Sequence, residues 1–198
     1  TSGTASTNGT AGTTGAAGTT GAAGTTGHAG TTGAAGTAGQ PPSTGGPIKN
    51  VFVVAMENEP AAAIYGNKNA PYLNGLLAKY AHATAFTDPL SDGVPSEPHY
   101  VWMEAGTNKF SDVTFTGDGD PSSSNSTKST AHLVTQIKNA GNGLTWMSYQ
   151  EGITDRTGKC PIESSKRYAA KHNPFVFFRD VSGSPPSKNN AYCISHHK

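Results

Sequence analysis

The chain has 198 residues, with fourteen Lys and Arg against thirteen Asp and Glu and a formal net charge of +1. Its basic residues are scattered among acidic ones, which argues against a nucleic-acid binder, where Lys and Arg cluster on one face. No apolar run approaches the roughly 20 residues needed to cross a bilayer.

Residues 1–46 carry no Asp, Glu, Lys or Arg and cycle through GAAGTT-type repeats before ending in QPPSTGGP. Gly, Ala and Thr alone cannot offset the entropy of ordering a backbone, so this stretch is expected to be a disordered low-complexity linker. A flexible chain of that length spans on the order of 35–40 Å. The chain opens at Thr1 inside a repeat, which suggests a preceding export signal or lipid anchor and a secreted or cell-envelope location, with tethering to the envelope.

Residues 47–198 hold every charged side chain and are long enough for one core. The run Ile48 to Met56 is apolar and β-branched enough for an interior strand of a parallel sheet, and ligands in such sheets sit beyond the strands' carboxyl ends. Glu57 and Asn58 follow at that position, although the same pair would also suit a turn that caps a helix. A helix is predicted over 71–80, with Pro71 near its start and Leu73, Leu76, Leu77 and Tyr80 on one face. A strand over 82–87 and a helix over 96–105 come next, then a polar stretch from 116 to 130. Asp118 and Asp120 resemble a calcium loop, but the glycine and glutamate that such a loop needs are Ser123 and Ser129 here. A helix over 131–140, stopped by Gly141, and a strand over 144–149 complete the series, and alternation of this kind indicates an α/β fold. Tyr100, Trp102, Met103, Trp146, Met147 and Phe175 to Phe178 read as core residues. For Cys160 and Cys193 a disulfide and two inert thiols both fit, and a disulfide is preferred.

Ser96 stands between Pro95 and Glu97-Pro98 at the head of a helical run. Ordinary capping accounts for a serine there, yet a helix N-terminus also favours anions, so a phosphate oxygen fits beside the hydroxyl. A lipase elbow is excluded because Val94 and Pro98 occupy the positions of its glycines.

VFVVAMENE (51–59), GVPSEPHYVWMEAG (93–106), WMSYQEG (146–152) and KHNPFVFFRD (171–180) together resemble the bacterial phosphoesterase family. That family groups acid phosphatases with phospholipases C inside the alkaline-phosphatase-like superfamily. The resemblance implies a partial α/β/α sandwich and a divalent metal ion. It further implies Glu57 and Ser96 as metal ligands, Ser96 as the nucleophile that forms a phosphoseryl intermediate, and Asn58 and His172 near the substrate phosphate. A His before Asn-Pro equally suits a turn. Family members complete the metal site with Asp and His in the second half of the domain, so residues 47–198 are expected to be the N-terminal portion of a longer enzyme. The segment EPAAAIYG (59–66) lacks the aromatic and histidine pair of many phospholipases, which favours an acid-phosphatase-like phosphomonoesterase over a phospholipase C acting on choline lipids. A non-catalytic surface binding module is the remaining alternative. His196 and His197, adjacent near the C-terminus, are expected to be solvated.

Overall fold

A computed structural model describes residues 48–57, 59–153 and 158–198. Residues 1–46, expected to be a linker, and Asn58, expected near the substrate phosphate, therefore lie outside the described residues. The chain divides into two compact units, Thr1–Phe86 and Thr87–Lys198.

In the first unit, α1 (Ala61–Ile64) and α2 (Pro71–Lys79) are regular. Pro71 occupies the first turn of α2, where a missing N–H costs nothing, and Lys79 lies in its last turn, where a cation meets the negative end of the dipole. Asn74 stitches the preceding turn onto α2. Its amide donates to the carbonyls of Ile64 (2.8 Å), Asn67 (3.0 Å) and Ala70 (2.8 Å), and its oxygen accepts from the N–H of Gly66 (2.7 Å). The expected leucine stripe is only half covered, and Tyr80 is exposed.

The strands expected over 48–56 and 82–87 are not formed; both stretches lack regular structure, with Ile48 and Phe52 85% and 86% exposed. An interior strand needs a ladder on each side to satisfy its N–H and C=O groups and to cover its side chains. The described residues of this unit supply no such neighbour.

The second unit is held by α3 (Ser96–Ala105), α4 (Leu133–Asn139), α5 (Arg179–Ser182) and α6 (Ala191–His196), with 3-10 turns at Ala170–His172 and Pro174–Phe177. Its core gathers Val101 from α3, Val134 from α4, Phe115, Val176, Phe177, Phe178 and Val181 around the buried Cys160–Cys193 disulfide. Phe115 meets Phe110 and Phe177 edge to face at 5.9 and 5.6 Å, the arrangement that ring quadrupoles prefer. Trp102 and Trp146 are half-buried, whereas Met103 and Met147 are exposed, a departure from the core expectation.

The strand expected over 144–149 reduces to one parallel bridge between Ser148 and His197. The Ser148 N–H donates to the His196 carbonyl at 2.9 Å, and the Lys198 N–H returns to the Ser148 carbonyl at 2.9 Å. The Gln150 N–H adds one more bond, to the Lys198 carbonyl at 3.0 Å, while the preceding segment turns through Gly141 and Gly143, both at positive φ, and leaves Leu144 55% exposed.

A polar network crosses this core. His132, fully buried, sets Nδ1 against Glu104 Oε1 (2.9 Å) and Nε2 against Asp180 Oδ1 (3.0 Å), while its ring stacks on Phe178 at 4.0 Å. Burial disfavours the imidazolium, but the hydrogen bonds and charges of Asp180 and Glu104 outweigh it and hold the pKa above its ordinary value. Glu104 Oε1 also accepts the N–H of Val134 (3.0 Å), one of the unpaired donors at the start of α4.

Candidate active site

The first turn of α3 sets the site. Pro95 caps the helix without a side-chain hydrogen bond, and neither Pro95 nor Pro98 has an N–H, so this helix start has fewer backbone donors than an ordinary one. The Glu97 N–H donates to Asp118 Oδ1 at 3.0 Å, so an internal carboxylate sits where the sequence reading expected a phosphate oxygen.

The Glu97 side chain completes a reciprocal clasp. Its Oε2 accepts from the Gly119 N–H at 2.7 Å and from the Asn125 amide at 3.2 Å, while Oε1 is buried without a hydrogen-bond partner. The residue is 0% exposed. Burial pushes its pKa up to about 7 against the hydrogen bonds of Gly119 and Asn125, and the charges of Asp118 and Asp120 push the same way. Gly119 suits the close approach, because a Cβ there would lie 3.3 Å from Asn125 Nδ2.

The other end of the loop is tied down as well. Asp120 accepts the Ser164 N–H at 2.9 Å and its hydroxyl at 2.5 Å, and the Asn125 amide also reaches the Asp120 carbonyl at 3.4 Å. Asp118 Oδ2 pairs with the Lys171 ammonium. Burial opposes ionisation of Asp118, but Lys171, the Glu97 N–H and His172 together hold its carboxyl below the usual range. Asp118 and Asp120 thus serve as a helix cap and a tether, consistent with the mismatch to a calcium loop.

His172 lies in the turn Ala170–His172, and its ring stacks on Tyr100 of α3 with centroids 5.2 Å apart. That turn packs on α3, which brings Lys171 and His172 to the end of the helix that begins with Ser96. On the approach to Ser96, the His99 ring nitrogens face two acceptors, Asp88 Oδ2 at 2.7 Å and the Val94 carbonyl at 3.2 Å. Asp88 also accepts the Leu90 N–H at 2.8 Å, so the turn that delivers Ser96 is braced.

The structure therefore gathers Ser96 and His172 within the Thr87–Lys198 unit. Glu57 is half-buried in the Thr1–Phe86 unit, and Asn58 lies outside the described residues. Among the described residues, no group of three or more His, Cys, Asp and Glu side chains is placed to hold a metal ion, and no helix is long and apolar enough to cross a membrane.

A mycobacterial protein matches this chain. It is a curated Mycobacterium tuberculosis protein named phosphatidylinositol-3-phosphatase, 35% identical over 133 residues. The match takes in 67% of this chain and 40% of the relative, so the chain spans well under half the length of the protein it resembles. No family model and no solved structure matches it.

Glu97, Asp118, Gly119 and Lys171 were not anticipated as a unit. The usable signal was small: an acidic residue directly after Ser96, and a Gly flanked by two Asp in a polar loop. The expectation for the terminal histidines is corrected in part. His197 is 7% exposed, with its Nδ1 2.8 Å from the Cys193 carbonyl, because the tail pairs with Ser148 instead of fraying into solvent. His196 is half-buried and stacks on Trp146 at 4.9 Å.

Proposed function

We propose that this chain carries part of a phosphoester hydrolase, an acid-phosphatase-like phosphomonoesterase with Ser96 as its nucleophile, built on an α/β/α sandwich of the alkaline-phosphatase-like type. The observation that carries the reading is the meeting of the first turn of α3, through the Glu97 N–H beside Ser96, with Lys171 and His172 around the Asp118 carboxylate. The name of the mycobacterial relative supports phosphoester hydrolysis and makes a phosphoinositide monophosphate the first substrate to try.

In this mechanism the Ser96 Oγ attacks phosphorus in line with the departing alcohol. The P–O bond to that alcohol breaks, the serine proton passes through solvent to the departing alkoxide, and the phosphoryl group stays on Ser96 until water displaces it. The α3 dipole stabilises charge on the equatorial oxygens, and His172 contacts the phosphate. The family resemblance assigns Glu57 and Ser96 to a divalent cation, which would lower the pKa of the Ser96 hydroxyl and neutralise phosphoryl charge. Two donors fall short of the roughly six oxygens that a hard cation takes, so the described residues do not fit a complete metal site.

The closed Cys160–Cys193 disulfide supports a secreted or envelope location, where such bonds persist, and residues 1–46 would then act as a tether. Phospholipase C action on a choline phosphodiester and a surface module without turnover are the competing readings.

The test is phosphate release by the full-length protein from p-nitrophenyl phosphate, a phosphoinositide monophosphate and phosphatidylcholine, with and without chelator. Ser96→Ala is expected to lower kcat by about 10³-fold or more with folding intact, and the wild type should yield phosphoserine at residue 96 after acid quench. Undiminished turnover in Ser96→Ala would refute the nucleophile. Cleavage of the choline diester alone would favour the phospholipase reading.

A further inference from the structure

We propose that Glu97 is a positioning residue for Ser96: its buried carboxyl locks the Asp118–Asp120 loop against the first turn of α3 and thereby fixes the direction of the Ser96 hydroxyl. The proposal rests on the nucleophile assignment made above.

The geometry is a closed ring of hydrogen bonds. The peptide unit joining Ser96 to Glu97 is held from outside, since its N–H donates to Asp118 Oδ1 at 3.0 Å. The next residue of that same loop, Gly119, donates its own N–H back to Glu97 Oε2 at 2.7 Å. Two backbone donors, one on the helix and one on the loop, are thus exchanged between residues adjacent in each segment. This resembles the reciprocal exchange of a capping box, but it is made across 21 and 22 residues of sequence. Rotation of the Ser96–Glu97 peptide would break the first bond, and withdrawal of the loop would break both. Because the Ser96 side chain departs from the atom next to that peptide, the ring fixes the backbone from which its hydroxyl is aimed.

Simple packing does not account for this arrangement. Glu97 is fully buried and leaves Oε1 without a hydrogen-bond partner, a cost that an apolar side chain of similar size would avoid. The loop is anchored besides by Lys171 on Asp118 and by Ser164 on Asp120, so the fold does not depend on Glu97 alone to keep the loop in place. What Glu97 adds is the register between loop and helix at the residue following the nucleophile.

The experiment compares Glu97→Ala, Glu97→Gln and Asn125→Ala with the wild type in the full-length protein, using p-nitrophenyl phosphate and counting active sites by the phosphoseryl burst. Glu97→Ala is expected to lower kcat per site by about 10- to 100-fold with KM changed less than about threefold, since a misaimed nucleophile loses rate without losing substrate. Glu97→Gln keeps an acceptor for the Gly119 N–H and is expected to stay within about fivefold of wild type. Asn125→Ala removes one donor to the same oxygen and should lower kcat by about 3- to 10-fold, which decides the matter if Glu97→Ala fails to fold. Wild-type kcat per site in both alanine variants, even with a lowered melting temperature, would overturn the inference and reduce Glu97 to a structural residue. Loss of kcat in Glu97→Gln as deep as in Glu97→Ala would overturn it too, because the clasp would then not be what matters. A fully active Ser96→Ala would instead remove the premise, so the two failures are told apart.

Discussion

Breaking the Cys160–Cys193 bond tests how much of the second unit depends on a covalent strap. The two cysteines are 33 positions apart, and closing a loop of that size removes about 4 kcal/mol of chain entropy from the unfolded state. The bond also has local work: the Cys160 N–H donates to the Lys188 carbonyl at 2.8 Å, and Cys193 sits in α6, the helix that leads to the bridge beside Ser148. With a urea dependence of about 2 kcal/mol per molar, the unfolding midpoint of Cys160→Ala/Cys193→Ala should fall by about 2 M. The assay is equilibrium urea denaturation followed by tryptophan fluorescence, which Trp146 reports because it stacks on His196 of α6. The wild type under a strong thiol reductant should shift by a similar amount. A midpoint change below about 0.5 M in both would mean that noncovalent contacts already hold α6, and the loop-closure argument would be refuted.

His197 supplies a pH-dependent contribution. Burial drives its pKa down to about 4 from an ordinary 6.5, so the unfolded chain binds the proton more readily; the stability it contributes is complete above about pH 6.5 and is lost as pH falls through 4. That loss is worth about 3 kcal/mol, and urea midpoints at pH 7 and pH 4 should differ less in His197→Gln than in the wild type. Glu104→Ala would strip acceptors from the buried His132 ring and from the Val134 N–H, a destabilisation of about 3 kcal/mol, whereas Glu104→Gln should cost less; calorimetric melting separates them. Gly152→Ala should destabilise by about 2 kcal/mol or more, read as a lowered melting temperature, because φ is +74° and the new Cβ would lie 2.8 Å from the Tyr168 nitrogen.

Features written in neighbouring residues were legible in the sequence. Pro71 with its leucines marked α2, Ser96 after Pro95 marked α3, and Leu133 to Ile137 before Gly141 marked α4, each within two residues of the observed ends. The preferred pairing of Cys160 with Cys193 is realised. The strands failed for the opposite reason. Val51 to Val54 have strand propensity, but a strand exists only when another segment pairs with it, and no local pattern reports whether that partner is present. His197 was misjudged in the same way, since its burial depends on Ser148 nearly fifty residues away. The places of Ser96 at the head of a helix and of His172 in a turn were readable from motifs. The Glu97 clasp was not, because it consists of contacts with Gly119 and Asn125 that only the folded loop creates.

Asn125 opens the triplet Asn-Ser-Thr, the acceptor for N-linked oligosaccharides, and the amide that would receive the sugar is the one turned toward Glu97. The two hydroxyl residues that complete the triplet are buried, with Thr127 bonded to Asp112 and Ser126 to the Ser122 carbonyl. Once folded, the triplet is closed to a transferase. In a eukaryotic secretory host the glycan would be added before the loop closes, and its bulk would then hold the loop away from α3. Material made in yeast or mammalian cells would carry a wedge at the very place where bacterial material has a latch.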